Sequence, residues 1–165
     1  MNLSFETWKN EDVESLVIHA NNPEVSKCLR DSFPFPYTRG NALTWIRINE
    51  TKVPPLNFAI HLDQVCAGGV GLVPKEDVYR KNGEIGYWLG QPFWNQGIIT
   101  RAIAFITEYA FSNFDLIRLY AEVFSNNPAS MRALEKNGFH REAIIPRSIL
   151  KRGEILDAHV WARYK

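Results

Sequence analysis

Between Glu84 and Ser112 the hydrophobic period changes. Glu84–Leu89 (EIGYWL) reads as a strand, and Arg101–Ser112 spaces Ile103, Ile106 and Ala110 three and four apart, as one face of a helix does. The segment that joins them, GQPFWNQGIIT, is short and contains Gly97. A strand that feeds a helix through a tight loop commits the chain to a sheet with a helix laid against it. It also sets up a chemical feature. The first N–H groups of a helix have no partner inside the helix, and they attract anions. Gln96, Gly97, Ile98, Ile99 and Thr100 would present those groups, and Gly97, with no Cβ, lets a phosphate approach the backbone. The same residues would also serve a plain strand-to-helix turn.

The flanking segments set the architecture. Leu3–Lys9 alternates as a strand, and Asn10 is placed to cap a helix over Glu11–Ala20 with Val13, Leu16 and Val17 on one face. Pro23 follows and starts a short helical turn reaching Leu29. Two prolines hold FPFPYT (Phe33–Thr38) extended. Thr38 can cap a second helix, whose apolar side would be Ala42, Trp45, Ile46 and Ile48. Asn57–Leu62 and Val65–Val73 flank Asp63-Gln64 as a hairpin, and the charged stretch Pro74–Asn82 reads as a loop. Leu116–Phe124 alternates through Ile117, Leu119, Ala121 and Val123. Asn127–Asn137 is a short helix with Pro128 in its first turn and Gly138 as its C-terminal cap. Strands near Arg141–Ser148 and Ile155–Arg163, joined around Lys151-Arg152-Gly153, close the chain. The order is β-α-α-β-β-β-α-β-α-β-β. That is a mixed α/β (α+β) fold, not a doubly wound parallel sheet.

Composition narrows the function classes. With 165 residues and no repeat or linker, the chain is expected to form a single domain over residues 1–165. Its 45% hydrophobic and 13% aromatic content rules out disorder. A net charge of +1 offers no electrostatic footprint for nucleic acid or a membrane surface, so neither is expected as a partner. The N-terminus lacks a basic region followed by an apolar core, and no apolar run approaches the roughly 20 residues of a membrane span. Cys28 and Cys66 form no CxxC or Cys/His pattern, so no metal is expected. These features point to a cytoplasmic protein; a monomer and a homodimer both fit them.

Two separated stretches carry a resemblance. EIGYWLGQPFWNQGIITRAI and SNNPASMRALEKNGF together are similar to the GNAT acetyltransferase superfamily, most of all to the branch of ribosomal-protein N-terminal (alanine/serine) acetyltransferases. The match extends more weakly to FPFPYT and the helix-rich N-terminal segment. The resemblance implies the GNAT fold, with a mostly antiparallel sheet and a β4–β5 splay, and acetyl-CoA as co-substrate. It implies that Trp88 and Leu89 give main-chain hydrogen bonds to the pantetheine arm and that Gln96–Thr100 holds the pyrophosphate. Asn127 and Ser130 match the family's Asn-x-x-Ser, which faces the cofactor. This chain departs from the family loop Q/R-x-x-G-x-G/A. Trp94 takes the first place, Gly97 is kept, and Ile99 replaces the last small residue, so its side chain is expected to turn into the core. The branch often has Gly where Asn95 stands.

Acetyl transfer to an amine needs a neutral nitrogen, an oxyanion partner and a proton for the leaving thiolate. Many family members place a Tyr seven residues after the motif Asn; here that position is Leu134. Ser130, on the same helical face, is the candidate acid, directly or through water, or else only a cofactor contact. Glu84 shares a strand face with Gly86 and Trp88 and is the candidate base, or else a structural carboxylate. Asp157 and His159 read as structural. Phe33, Phe35 and Tyr37 are candidates for the acceptor wall, or else caps on the core. Making a lysine neutral at pH 7 costs about 4.6 kcal/mol, against about 1 kcal/mol for an α-amine. A site without an obvious strong base therefore suits a peptide or protein N-terminal α-amine, transferred to by direct attack in a ternary complex. The competing reading is a CoA-binding GNAT-fold module with a scaffold or regulatory role.

Overall fold

The computed structural model describes residues 2–165. Among them a seven-stranded sheet runs in the order β1-β2-β3-β4-β5-β7-β6. The strands are β1 (Leu3–Glu6), β2 (Asn57–Leu62), β3 (Val65–Pro74), β4 (Asn82–Leu89), β5 (Arg118–Phe124), β6 (His140–Lys151) and β7 (Glu154–Tyr164). The helices are α1 (Val13–Ala20), α2 (Pro23–Ser26), α3 (Arg39–Glu50), α4 (Ile98–Asn113) and α5 (Pro128–Glu135). Neighbouring strands pair antiparallel at β1–β2, β2–β3, β5–β7 and β6–β7. The exception is β4–β5, parallel over only Asn82–Glu84 against Arg118–Tyr120. The order matches the sequence reading, with α2 as the short turn after Pro23. The chain divides into two compact units, one of residues up to Gly71 plus Tyr87–Ala102, the other of Leu72–Gly86 plus Ile103–Lys165.

In the first unit the β2–β3 hairpin turns on Asp63 (φ 47°) and Gln64 (φ 72°). Both sit in the left-handed region that a tight two-residue hairpin loop needs. Helix α3 starts where expected. The Asn41 N–H donates to Thr38 Oγ1 at 3.2 Å, while the Thr38 N–H donates to Asn41 Oδ1 at 2.8 Å. Its buried face is Ala42, Ile46 and Asn49, with Trp45 packed at its edge; Ile48 is 52% exposed and lies off that face. The reason is geometric: 42, 45, 46 and 49 share one helical side and 48 does not. The start of α1 also differs from expectation. Residues Asn10–Asp12 form a 3-10 turn, and the stabilising contact is Asp12 Oδ2 accepting the Lys9 N–H at 2.9 Å, not an Asn10 cap. Strand β1 accordingly stops at Glu6, and Trp8 turns into the core beside Val13, Leu16 and Ala42.

In the second unit Gly83 lets β4 pass close to leucines: a Cβ there would meet Leu72 Cδ1 at 2.7 Å and Leu116 Cδ1 and Leu119 Cδ2 at 3.1 Å. Strand β5 begins at Arg118, and Ile117, expected on its inward face, is 54% exposed. Leu119, Ala121 and Val123 are buried as their alternation requires. Helix α5 ends at Glu135, and past it Gly138, at φ 75°, lets the Phe139 N–H donate back to the Leu134 carbonyl at 3.1 Å. The β6–β7 hairpin turns through Arg152 (φ 52°) and Gly153 (φ 81°). Asp157 Oδ1 accepts the Arg147 N–H at 2.8 Å.

Candidate functional site

The loop before α4 turns through Gly97 into the helix. Gly97 stands at φ 75°, and a Cβ there would meet nothing within 4 Å, so the space over its backbone is open to a ligand. The Gly97 carbonyl accepts the Arg101 N–H at 3.2 Å, which makes Gly97 the residue at which the helix begins. The first-turn N–H groups of a helix point out of such an end. The helix starts at Ile98, three residues before the hydrophobic period alone places it. Asn95 also lies in the left-handed region, at φ 62°. Asn is among the few non-glycine residues tolerant of it, which explains Asn where the similar branch often has Gly. The inward side chain is Ile98, 2% exposed, while Ile99 is half-buried; this corrects the expectation that Ile99 carries the burial. The Gln96 side chain donates to the Pro92 carbonyl at 3.2 Å and braces the loop.

In the same unit Trp88 and Leu89 are fixed by close backbone approach. A Cβ at Gly68 would overlap the Trp88 carbonyl oxygen and come to 3.0 Å from Leu89 Cα. One at Gly69 would meet Trp8 Cζ2 and Trp88 Nε1, each at 2.9 Å. Only glycine fits beneath the end of β4 at both places. The Trp94 indole N–H donates to the Leu89 carbonyl at 2.8 Å, so that carbonyl is already engaged. Trp94 thus anchors the loop to the end of β4, a role the sequence did not reveal. Phe33 packs on Tyr37 (ring centroids 5.3 Å apart) and on Trp88 (5.5 Å). Tyr37 is only 5% exposed, and burial pushes its phenol up to about 12. Phe35, by contrast, is 45% exposed. The structure therefore brings Phe33, Tyr37 and Trp88 into one aromatic group and leaves Phe35 outward.

In the second unit Glu84 is mostly buried and ion-paired. Lys75 Nζ lies 2.8 Å from Glu84 Oε2, and the Tyr120 hydroxyl donates to the same oxygen at 3.4 Å. Lys75 also sits over the Tyr120 ring at 5.5 Å. Burial opposes the charge on Lys75, yet the hydrogen bonds with Glu84 and Tyr120 outweigh it and raise its pKa. Neither partner of Glu84 was visible in the linear pattern. Asn127 caps α5, its Oδ1 accepting the Ser130 N–H at 3.2 Å. The Asn-x-x-Ser spacing is thus the spacing of an N-cap and its N3 residue.

The fold is that of the GNAT acetyltransferases. A ribosomal L7/L12 α-N-protein acetyltransferase in complex with coenzyme A superposes with a TM-score of 0.85 at 21% identity, covering 99% of this chain and 94% of that one. The acetyltransferase (GNAT) domain family matches residues 2–140. A protein of Bacillus subtilis (strain 168) described as a probable N-acetyltransferase, YjcK, is 40% identical over 78 residues, 47% of this chain and 43% of its own length. The ribosomal-protein-serine acetyltransferase of Escherichia coli (strain K12) is 34% identical over 85 residues, 51% of this chain and 47% of its own length. The matched stretch spans less than half the length of either of these curated relatives. The chain belongs to the acetyltransferase (GNAT) domain family. No helix among the described residues is long and apolar enough to cross a membrane.

Proposed function

We propose that this chain, as one domain in the cytoplasm, acetylates a primary amine from acetyl-CoA, with the N-terminal α-amine of a peptide or protein as the favoured acceptor. The observation that carries the reading is Gly97: left-handed, open above its backbone, and at the start of the sixteen-residue α4. Such a cradle fits a diphosphate. Gln96, Gly97, Ile98, Ile99 and Thr100 hold it there, and Trp88 and Leu89 align the pantetheine arm through main-chain groups. Asn127 and Ser130 supply the polar contacts of the Asn-x-x-Ser pattern. When bound, acetyl-CoA supplies the acetyl group as an activated thioester.

Glu84 takes the proton from the amine, through water, and the Ser130 hydroxyl holds the proton that the leaving group requires. Glu84 is a carboxylate, by type a weak base, and Lys75 pairs with it at 2.8 Å. This favours an amine that loses its proton easily. Neutralising an α-amine at pH 7 costs about 1 kcal/mol, and a lysine about 4.6 kcal/mol. Exposed Phe35 lines the acceptor side, with Phe33 and Tyr37 behind it. The Escherichia coli relative, named as a ribosomal-protein-serine acetyltransferase, supports a protein acceptor.

The test is thiol release with a panel of peptides that carry either a free α-amine or a free lysine with a blocked N-terminus. Faster turnover of α-amines at pH 7 is expected. Lysine turnover dominating at that pH would remove the α-amine assignment, and acetyl-CoA binding without turnover on any amine would favour the scaffold reading.

A further inference from the structure

Away from the acetyl-transfer residues, the first unit holds a buried polar group in its core. His61 on β2 and Cys66 on β3 are directly paired in register, so both side chains leave the same face of the hairpin. Asp12 reaches that face from the 3-10 turn before α1. All three are buried, among Trp8, Val13, Leu16 and Ala59. Asp12 Oδ1 lies 2.7 Å from His61 Nε2. One donor atom from each of Asp12, His61 and Cys66 lies within 4.8 Å of the other two.

The group's hydrogen bonding is incomplete. His61 Nδ1 is buried with no hydrogen-bond partner, and Cys66 Sγ reaches only the Gly68 carbonyl, at 3.7 Å. A buried ring nitrogen without a partner is costly and asks for an explanation.

We propose that Asp12, His61 and Cys66 form a structural site for one borderline-soft divalent cation of the Zn2+ class. A set of one oxygen, one imidazole nitrogen and one sulfur suits Zn2+ or Co2+; Mg2+ and Ca2+ take oxygen ligands. Charge agrees as well, because a carboxylate and a thiolate neutralise a dication, and the filled site places no net charge in an apolar core. Either imidazole nitrogen can take the cation while the other keeps the ring proton. On uptake the Cys66 S–H bond breaks, a sulfur–metal bond forms, and the proton passes to solvent; no electrons are exchanged. The thiolate is the form that binds a metal, so uptake is accompanied by proton release. The three residues lie 49 and 5 positions apart, which is why no linear metal motif announces them.

The experiment uses the full chain carrying Cys28→Ala, reduced and refolded with one equivalent of Co2+. The expected result is a thiolate-to-cobalt charge-transfer band in the near ultraviolet, at one ion per chain. Zn2+ should displace it and remain through gel filtration. Adding Cys66→Ala should abolish the band. Asp12→Asn should weaken binding by about tenfold or more. If the cysteine variant fails to fold, zinc retention and the cobalt spectrum of the folded Cys28→Ala chain still decide the matter. A folded Cys28→Ala chain with neither charge-transfer band nor retained zinc overturns the site, as does a band that survives Cys66→Ala.

Discussion

Gly97 and Gly138 have the same φ, 75°, and only Gly97 is assigned to the cofactor. That pairing separates a backbone effect from a binding effect. An alanine in the left-handed region costs roughly 1–2 kcal/mol at either position. A new Cβ clashes at neither: nothing lies within 4 Å at Gly97, and the nearest atoms at Gly138 belong to Arg163, at 3.9 Å. For a chain of this size that penalty lowers Tm by about 2–8 °C, and Gly97→Ala and Gly138→Ala should fall by similar amounts. Their binding should diverge. At residue 97 the methyl fills the open space the diphosphate would occupy and displaces it from a main-chain donor. Loss of one charge-assisted hydrogen bond costs about 1.5–3 kcal/mol, roughly 10- to 150-fold in Kd for CoA. Calorimetric titration with CoA, beside thermal unfolding, reads both quantities. Equal Tm losses with an unchanged Kd in Gly97→Ala would refute the cradle.

Three further outcomes follow from the packing. Gly69→Ala drives a methyl to 2.9 Å from the indoles of Trp8 and Trp88 and should destabilise the fold by about 1–3 kcal/mol in urea unfolding. Asn127→Ala removes the cap of α5 and should cost about 1 kcal/mol by the same measurement. In metal-free protein the Cys66 thiol, ordinarily near 9.0, is pushed up to about 12, and the Tyr37 phenol, ordinarily near 10.0, also to about 12. The unfolded chain loses these protons first, so stability is complete below pH 9 and declines above it. The slope is about 1 kcal/mol per pH unit from the thiol, with the phenol adding to it above pH 10. Denaturant midpoints from pH 8 to 11 should show this fall, and Cys66→Ala should flatten its first part.

What was legible in the sequence was local. The hairpin turn at Asp63-Gln64, the Thr38 cap and the short helix after Asn127, with Pro128 in its first turn, each follow from a few adjacent residues whose backbone preferences agree. Element ends were less legible because tertiary contacts decide them. Trp8 leaves the strand for the core, and Ile48 and Ile117 are apolar but stand on exposed faces. The turn into α4 could be read because it is carried by one glycine, Gly97, and a helix start. Side-chain partners could not. Lys75 meets Glu84 across a charged loop, Trp94 finds the Leu89 carbonyl, and Asp12, His61 and Cys66 converge from three elements.

The most direct measurement is an amide-resolved titration of the 15N-labelled chain with acetyl-CoA. The resonances of Gln96, Gly97, Ile98, Ile99 and Thr100 should move first and furthest, saturating together at one equivalent. Amides that stay in place at millimolar acetyl-CoA, in a chain still folded, would contradict the assignment of this loop to the cofactor and with it the proposed transfer.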